Sequence, residues 1–521
     1  MASGAISQIL AAASVTFCAA LAQADWATDS GSPTILLSGA GDQAQPKVEP
    51  DTTGGFYVAH YDSNGGGYDM ALARFDANAN LLWRVVVANL AQSSTEDYGF
   101  SVDSTGNAYL SFRDDRTPMV QITAAKVALN GTLPWGSGGV QLTANTSDLS
   151  HSPRARVLAN GDVAVGWSQS NKATVNLVSP AGAKRWILPY TMTDGTAASY
   201  ILSDIQPSGA SDLLVSAVRY TTFTGVKYQQ VQKLSSAGAT LFPGTAVAVH
   251  TSGSLQIGNY PPFESDGAGG AIFCWYATSP LQCYVQHVSS TGMRLFGTGG
   301  VGVTTTTTQE RVSPRMAFDA AANRIYVAWS EHTPNTSIYG AGAQSFDAAT
   351  GARQWTNNGF MFAPLETVYS YTWAMASMTP DGPNFGAVRS TSFIDNTLMA
   401  LGATATAETR WIPAATPVAA SQATLFRNTT TRIDDSGTVI VWQGADSDGG
   451  AILAARLGDN GALGAGPPAG NPADLDGDGV VGGADLAMLL GAFGASGPGD
   501  LDGDGTVGGA DLAALLAAFG S

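Results

Sequence analysis

Short apolar runs alternate with turns rich in glycine, asparagine and aspartate along most of the chain. Between residues 46 and 461 one unit recurs: a polar turn, an apolar strand that often ends in an aromatic residue, a variable loop, a second strand and a glycine turn. The first strand of this unit occurs at residues 55–60, 106–112, 161–167, 212–217, 270–275, 324–329, 384–388 and 437–442. This spacing and the lack of helical periodicity predict an all-β fold of repeated antiparallel sheets.

A large aromatic residue follows the second strand of most units. These positions are Trp83, Trp135, Trp186, Phe242, Phe296, Trp355 and, in a degenerate copy, Trp411. An aromatic side chain at a fixed place in each unit is expected to fill one core per unit. Units of this length, all β and rich in glycine turns, are typical of the four-stranded blades of a β-propeller. We therefore predict a β-propeller over residues 25–461, with eight blades or, because two copies are degenerate, seven.

The two ends of this region complement one another. The last unit stops at residues 457–461 without its aromatic residue and outer strand, whereas Trp26 and an apolar run at residues 33–38 lie near the start of the chain. The N-terminal strand is therefore predicted to complete the last blade, which would remove an open sheet edge.

The repeats are similar to uncharacterised propeller repeats of secreted bacterial proteins. Residues 347–355, Asp-Ala-Ala-Thr-Gly-Ala-Arg-Gln-Trp, also resemble the tryptophan-docking motif of eight-bladed quinoprotein dehydrogenases. The motif occurs once in that form, and no quinone site accompanies it in the sequence. We interpret Trp355 as a packing residue.

Two aspartate-rich loops of twelve residues, 474–485 and 500–511, follow a Gly/Pro/Ala linker at residues 462–473. Calcium prefers six to eight oxygen ligands. Each loop offers carboxylates at positions one, three, five and twelve and a backbone carbonyl at position seven, and its glycine at position six permits the sharp turn. This pattern favours a Ca²⁺ site. Glycine at position nine leaves that ligand to water. The predicted ligands of two Ca²⁺ ions are Asp474, Asp476, Asp478, Val480 and Asp485, then Asp500, Asp502, Asp504, Thr506 and Asp511.

Each loop leads into an apolar helical stripe, formed by Leu486, Leu489, Leu490 and Phe493 and by Leu512, Leu515, Leu516 and Phe519. The matching three- and four-residue intervals predict two helices whose stripes pack on one another.

These EF-hand-like loops lack the incoming helix of an EF-hand and end in aspartate rather than glutamate. Residues 474–521 in this respect resemble a type I dockerin, and the Gly-Gly-Ala runs resemble dockerin-type tails of secreted planctomycete proteins. The resemblance implies a cohesin-like partner and, because the copies are alike, binding in either of two orientations. At the positions where cellulosomal dockerins often have serine and threonine, this chain has Gly483-Ala484 and Gly509-Ala510.

Charge and targeting signals narrow the possible functions. The formal charge is −17, and there is no basic cluster, which disfavours nucleic-acid binding. Residues 1–24 are an apolar segment that ends in Ala22-Gln23-Ala24, so we predict a signal peptide cleaved after Ala24 and a secreted or cell-surface protein without a membrane span. Cys274 and Cys283 lie on two short runs joined by a turn, and in an oxidising compartment a disulfide is favoured over free thiols.

Two functions fit this organisation. The first is a binding protein whose propeller recognises a glycan or a protein; the second is a propeller enzyme, a polysaccharide lyase or glycoside hydrolase carried by the dockerin-like tail. There is no nucleophile motif or zinc signature, and the five histidines are scattered over different units. Strand ends carry His60, Asp62, Arg113, Asp114, Arg219 and Glu331, which we interpret as surface residues. No catalytic residue and no organic cofactor are assigned.

Overall fold

The computed structural model describes residues 26–63, 67–92, 97–116, 120–143, 148–256, 258–392, 394–411, 415–422, 425–434, 437–445, 449–464, 473, 475, 481–495, 499–502 and 506–519. The chain divides into two compact units, residues 1–464 and 465–521. The predicted signal peptide and residues 465–472 of the predicted linker lie outside the described residues. Residues 462–464 still belong to the first unit, because Gly464 donates its backbone N–H to the carbonyl of Arg456 at 3.0 Å.

The described strands of the first unit comprise one N-terminal strand and eight successive groups, which we call repeats 1 to 8. The N-terminal strand is β1 (Thr34–Leu37), and repeat 1 has β2 (Gly41–Pro50), β3 (Phe56–Ser63), β4 (Tyr68–Phe75) and β5 (Leu81–Gln92). Repeat 2 has β6 (Gly99–Val102), β7 (Ala108–Asp114), β8 (Gln121–Val127) and β9 (Val140–Gln141). Repeat 3 has β10 (Ser150–Val157), β11 (Val163–Gln169), β12 (Lys172–Val178) and β13 (Tyr190–Thr191). Repeat 4 has β14 (Ser199–Ser208), β15 (Asp212–Tyr220), β16 (Tyr228–Leu234) and β17 (Val247–Ala248).

The second half of this unit continues the pattern. Repeat 5 has β18 (Phe263–Ser265), β19 (Ala271–Thr278), β20 (Leu281–Val288) and β21 (Val301–Gly302). Repeat 6 has β22 (Glu310–Asp319), β23 (Arg324–His332), β24 (Tyr339–Asp347) and β25 (Phe360–Glu366). Repeat 7 has β26 (Ser370–Thr379), β27 (Gly382–Ser392), β28 (Asp395–Gly402) and β29 (Thr416–Gln422), and repeat 8 has β30 (Phe426–Asp434), β31 (Gly437–Ala445) and β32 (Gly449–Gly458).

Consecutive strands within each repeat pair antiparallel, and repeats 2 to 7 each form a separate four-stranded sheet. The fourth strand of repeat 8 is β1, which pairs antiparallel with β32 and aligns Thr34 with Ala454. The predicted pairing of the N-terminal strand with the last repeat is thus confirmed. A short parallel pairing of Gly41 with Gly449 joins repeats 8 and 1 into one eight-stranded sheet. The first unit is therefore all-β and built from four-stranded sheets of the propeller type.

The apolar runs recognised in the sequence are the second strands of the repeats. The first strands escape recognition because most of them contain a β-bulge, which interrupts the period-two pattern. Four of these bulges place a non-glycine residue at positive φ: Gln45 at 54°, Ser152 at 52°, Ser313 at 54° and Trp373 at 52°.

An aromatic residue at the end of one repeat packs on the glycine turn of the next. The indole N–H of Trp83 in repeat 1 donates to the carbonyl of Leu129 in repeat 2 at 3.1 Å. Gly131, at φ 83°, lies so close that a Cβ there would meet the indole ring at 3.2 Å. Equivalent hydrogen bonds join Trp135 to Pro180, Trp186 to Ser236, Trp355 to Ala405, and Trp411 to Asp459. The repeated glycine and aromatic signature is therefore an inter-repeat contact, and Trp355 is one of its members.

Trp26 makes the same contact between repeats 8 and 1. Its indole N–H donates to the carbonyl of Ala77 at 2.7 Å, and its ring stacks on Phe56 with centroids 5.8 Å apart. Buried residues of repeats 8 and 1 share one core with Trp26, in the same way that the other neighbouring repeats share theirs. The segment before β1 thus supplies the aromatic residue that the last repeat lacks.

The second unit contains two helices, α1 (Gly483–Gly491) and α2 (Gly509–Ala517). Each begins with an aspartate three residues inside its glycine cap, where the carboxylate accepts the backbone N–H of the cap. Leu489 and Leu515 are fully buried in a shared core, as the predicted stripes require. The stripes do not pack over their whole length, however. Four of their residues are each about half exposed: Leu490, Phe493, Leu516 and Phe519.

The two cysteines are free and buried, which makes the expected disulfide wrong for this structure. They lie on the paired strands β19 and β20, but Cys274 is opposite Val285 and Cys283 is opposite Tyr276. Residues at such diagonal positions are separated by about 7–8 Å, more than a disulfide usually spans. Burial raises the pKa of the Cys274 thiol to about 12, and it raises that of Cys283 as well, so both are inert.

Candidate metal centre and ligand clefts

The second aspartate-rich loop brings three of its predicted ligands together. Carboxylate oxygens of Asp500, Asp502 and Asp511 all lie within 4.8 Å of one another. Two oxygens that each lie about 2.4 Å from one Ca²⁺ are at most about 4.8 Å apart, so this donor set fits a calcium ion. Thr506 lies in the same loop, and Asp504 lies outside the described residues.

Backbone hydrogen bonds hold the carboxylate of Asp511 in this loop. One oxygen accepts the N–H groups of Leu501 at 2.6 Å and Asp502 at 3.0 Å, and the other accepts that of Gly508 at 2.6 Å. These donors, Gly508 first, lower the pKa of Asp511, so it is ionised at neutral pH. A buried, ionised carboxylate at loop position twelve is therefore in place before any metal binds.

The first loop has the same arrangement around its last residue. Asp485 accepts the N–H groups of Leu475 at 2.7 Å and Gly482 at 2.6 Å, and it is 1% exposed, as is Asp511. The other predicted ligands, Asp474, Asp476, Asp478 and Val480, lie outside the described residues.

The first strands of the first unit carry a set of charged residues that the sequence analysis missed. We call it the first-strand belt, and it comprises Lys47, Glu49, Asp97, Arg154, Arg156, Asp204, Glu264 and Arg315. Asp97 lies two residues before β6, and every other member lies on the first strand of its repeat. A recurring tripeptide in the sequence could have located part of the belt. A polar residue, a proline and a basic residue follow one another at 45–47, 152–154 and 313–315, and in the structure the first residue of each has a positive φ.

Ion pairs link the belt from one repeat to the next. Asp97 of repeat 2 lies 2.6 Å from Lys47 of repeat 1 and 2.6 Å from Arg154 of repeat 3. Burial alone would raise the pKa of Asp97, but these two cations lower that pKa to about 2. Arg156 of repeat 3 lies 3.6 Å from Asp204 of repeat 4. The cations of repeats 1 and 3 thus hold Asp97 in the ionised form, and Arg156 gives Asp204 a cationic neighbour.

Glu264 has the opposite environment. Desolvation raises its pKa to about 7, against the effect of the backbone N–H of Phe318. Nearby, the amide of Gln206 donates to Asp204 at 3.2 Å and to the carbonyl of Phe263 at 2.9 Å. Neighbouring first strands therefore carry a desolvated carboxyl group, Glu264, and a carboxylate that pairs with an arginine, Asp204.

Two clefts open beside repeat 7, and Trp373 lines both. The larger has a volume of about 450 Å³, and its floor and rim consist of uncharged residues: Ser337, Tyr339, Thr367, Val368, Tyr369, Ser370, Thr372, Trp373, Val388, Ser390, Thr391, Ser392, Asn396 and Leu425. The smaller, of about 290 Å³, is lined by Arg315, Trp373, Ala374, Met375, Ala376, Asn428, Thr429 and Thr430. An aromatic ring among hydroxyl groups suits a polyhydroxylated ligand.

The six polar residues at strand ends do not form a site of their own. Asp62 pairs with Arg84, Arg113 with Asp115, Asp114 with Arg116, Arg219 with Asp194, and Glu331 with Arg311. Four of these pairs lie within one repeat, whereas Asp194 lies in the loop between repeats 3 and 4. His60 is fully buried, and desolvation together with Arg84 lowers its pKa to about 3. Asp114 and Glu331 are also buried, so the expectation of a surface residue is wrong for His60, Asp114 and Glu331.

No helix in the described part of the chain is long and apolar enough to cross a membrane.

No known protein family and no curated protein sequence matches the chain. The β-propeller domain of the Trilobed protease from Pyrococcus furiosus aligns with 70% of this chain and 94% of its own length, at 8% identity and a TM-score of 0.38. A GH93 α-L-arabinofuranosidase of Fusarium graminearum in complex with arabinobiose aligns with 59% of this chain and 92% of its own, at 12% identity and a TM-score of 0.34. A prolyl endopeptidase aligns with 70% of this chain at 11% identity and a TM-score of 0.39, and this chain covers only 47% of that protein. Similarities of this size assign no family to the chain.

Proposed function

We propose that this chain is a secreted binding protein in two parts. An eight-bladed, closed β-propeller binds a glycan or a protein, and a calcium-binding, dockerin-like tail attaches it to a cohesin-like partner or surface. Two observations support closure. Strand β1 pairs with β32, and Trp26 links repeats 8 and 1 by the same kind of contact that links repeats 1 and 2 through Trp83.

The observation that carries the tail's role is the donor set of the second loop. Asp500, Asp502 and Asp511 present oxygens at the separation that Ca²⁺ requires, and the same backbone donors hold Asp485 in the first loop. Calcium bound there would neutralise the carboxylates and fix both helices. It would thereby fix the apolar side chains that these helices leave exposed.

Those exposed side chains are the proposed contact with the partner. Leu490 is 52% exposed and Leu516, its equivalent in the second copy, is 53% exposed. Phe493 and Phe519 match in the same way at 51% each. Exposed apolar residues that are grouped on a helix are typical of protein interfaces. Because the two faces are equivalent, either one is expected to bind the partner.

The test is capture of a secreted partner from the source organism by the full-length chain, in CaCl₂ and in EGTA, followed by calorimetry with the purified partner. We expect a partner in CaCl₂ only. Leu490→Asp or Leu516→Asp alone should retain binding, and the double variant should lose it. Leu241→Asp, at a 47% exposed leucine of repeat 4, is the matched control. A partner that binds equally in EGTA, or that still binds the double variant, would contradict the docking role.

A propeller-type polysaccharide lyase or glycoside hydrolase is the second candidate function, and the first-strand belt favours it. Glycoside hydrolysis uses two carboxyl groups, one of them with a raised pKa. Desolvation raises the pKa of Glu264 to about 7, and the adjacent first strand carries Asp204, which pairs with Arg156. The test is a screen of polysaccharides for new reducing ends and for the absorbance of unsaturated products. Turnover that Glu264→Gln abolishes would establish this candidate, and no turnover on any substrate would exclude it.

A further inference from the structure

Trp373 occupies a strained backbone position that three other repeats fill with a glutamine or a serine. It is the bulge residue of β26, at φ 52°, where repeats 1, 3 and 6 have Gln45, Ser152 and Ser313. A bulky side chain at positive φ costs free energy, and such strain is concentrated at functional sites. The bulge turns the indole outward, 54% exposed, rather than into a core. The fold needs the bulge, but it does not need a tryptophan there.

Arg315 is the basic residue of the belt that lacks a carboxylate. Lys47 and Arg154 follow the same bulge and proline in repeats 1 and 3, and both pair with Asp97. Within the described part of the chain, the guanidinium of Arg315 has no acidic partner and donates only to the carbonyl of Pro314, at 3.0 Å. The side chain is exposed and lines the smaller cleft. Its remaining N–H groups are free to bind an anion bidentately.

The two clefts therefore offer different chemistry and share one aromatic residue. Trp373 lines both, with hydroxyl and amide groups such as Ser390, Thr391 and Asn396 in the larger cleft and Arg315 in the smaller. Among the residues that the structure describes, no charged one lines the larger cleft. A chain of sugar rings with an acidic group on one of them matches this order of groups.

We propose that this surface, formed by repeats 6, 7 and 8, binds an acidic polysaccharide built of uronic acids. One sugar ring stacks on Trp373, its carboxylate pairs with Arg315, and the adjoining sugars lie in the hydroxyl-lined cleft. This assignment rests on the proposed role of the propeller as a binding module, and it specifies the ligand class and the site.

The test is calorimetric titration of the full-length chain with tetragalacturonate and with its methyl ester, which keeps the rings but removes the charge. We expect the acid to bind at least 10-fold more tightly than the ester, because only the free carboxylate can form charge-assisted hydrogen bonds with Arg315. Arg315→Gln should weaken the acid about 10- to 100-fold and leave the ester unchanged. Trp373→Ala should weaken both ligands about 5- to 10-fold.

Matched controls separate the site from general effects. Lys184→Gln removes one exposed positive charge from repeat 3, and Phe223→Ala removes an aromatic side chain of repeat 4 that is 66% exposed; neither should change affinity. Trp373→Phe should retain most of the binding if the alanine variant folds poorly.

Three results would overturn the assignment: equal binding of acid and ester, equal loss in the control variants, or no binding of the acid. A glycan or protein ligand found elsewhere on the first unit, unaffected by Trp373→Ala, would overturn this site but leave the propeller a binding module. If a screen of polysaccharides and secreted proteins finds no ligand of any kind, the proposed propeller function itself fails.

Discussion

The N-terminal segment should be a major stabilising element because Trp26 links the last repeat to the first. The side chain is 5% exposed, stacks on Phe56 and donates to Ala77. Burial of a tryptophan removes about 200 Å² from water, which at about 25 cal/mol per Å² stabilises by about 5 kcal/mol. An alanine retains a small part of this, whereas the lost hydrogen bond adds about 1 kcal/mol. We expect Trp26→Ala to lower the free energy of unfolding by about 5 kcal/mol.

The assay is urea denaturation followed by circular dichroism, with Trp373→Ala as the matched control. Trp373 is 54% exposed, so its removal should cost about 1 kcal/mol or less. The two variants should thus be opposites, since Trp26→Ala loses stability but keeps ligand affinity, and Trp373→Ala does the reverse. A loss below about 1 kcal/mol for Trp26→Ala, or a loss equal to that of the control, would refute the reasoning on closure.

Two further changes test buried charges of the first unit. Glu264 has a folded-state pKa of about 7 against an ordinary 4.5, so its ionisation destabilises the fold increasingly from pH 4.5 to pH 7. Glu264→Gln should therefore raise the free energy of unfolding by about 3 kcal/mol at pH 8 and by less than about 1 kcal/mol at pH 5, in urea titrations at both values; equal effects would contradict the pKa. Arg311→Met leaves the carboxylate of Glu331, 5% exposed, without its cation, and should cost about 3–5 kcal/mol. Adding Glu331→Gln should restore most of that loss in the same assay, and strictly additive losses would argue against a coupled pair.

Much of the fold is visible in the sequence because its determinants are local. The second strands are unbroken apolar runs, and each glycine turn such as Gly131 is followed by the aromatic residue that packs on the next repeat. The pairing of β1 with β32 was also predictable, since the last repeat lacks an outer strand and an aromatic residue, and the N-terminal segment supplies both.

The first strands were harder to predict because their bulges break the alternation of apolar and polar residues. Recognition of the tripeptides that contain Pro46, Pro153 and Pro314 would have located three of them. The ion pairs of Asp97 join residues about 50 positions apart on different repeats, and no local pattern encodes them. The aspartate-rich loops, by contrast, were predictable because a calcium loop draws its ligands from one short segment.

The two helical stripes were predicted to pack on one another, but two of the four residues in each stripe are about half exposed. Helical spacing identifies an apolar face, but it does not show how much of that face a module of this size covers. Leu489 and Leu515 fill the small core, and no described neighbour in the second unit covers Leu490 and Leu516.

Calorimetric titration of the full-length chain with Ca²⁺, after removal of metal with a chelator, tests the central claim about the tail most directly. We expect two ions per chain for the natural sequence and one for Asp511→Asn, which reduces the charge of the second donor set. Asp194→Asn, a change to a carboxylate in the loop between repeats 3 and 4, should leave two. A chain that binds no calcium, or one that binds the same number of ions with and without Asp511, would contradict the account.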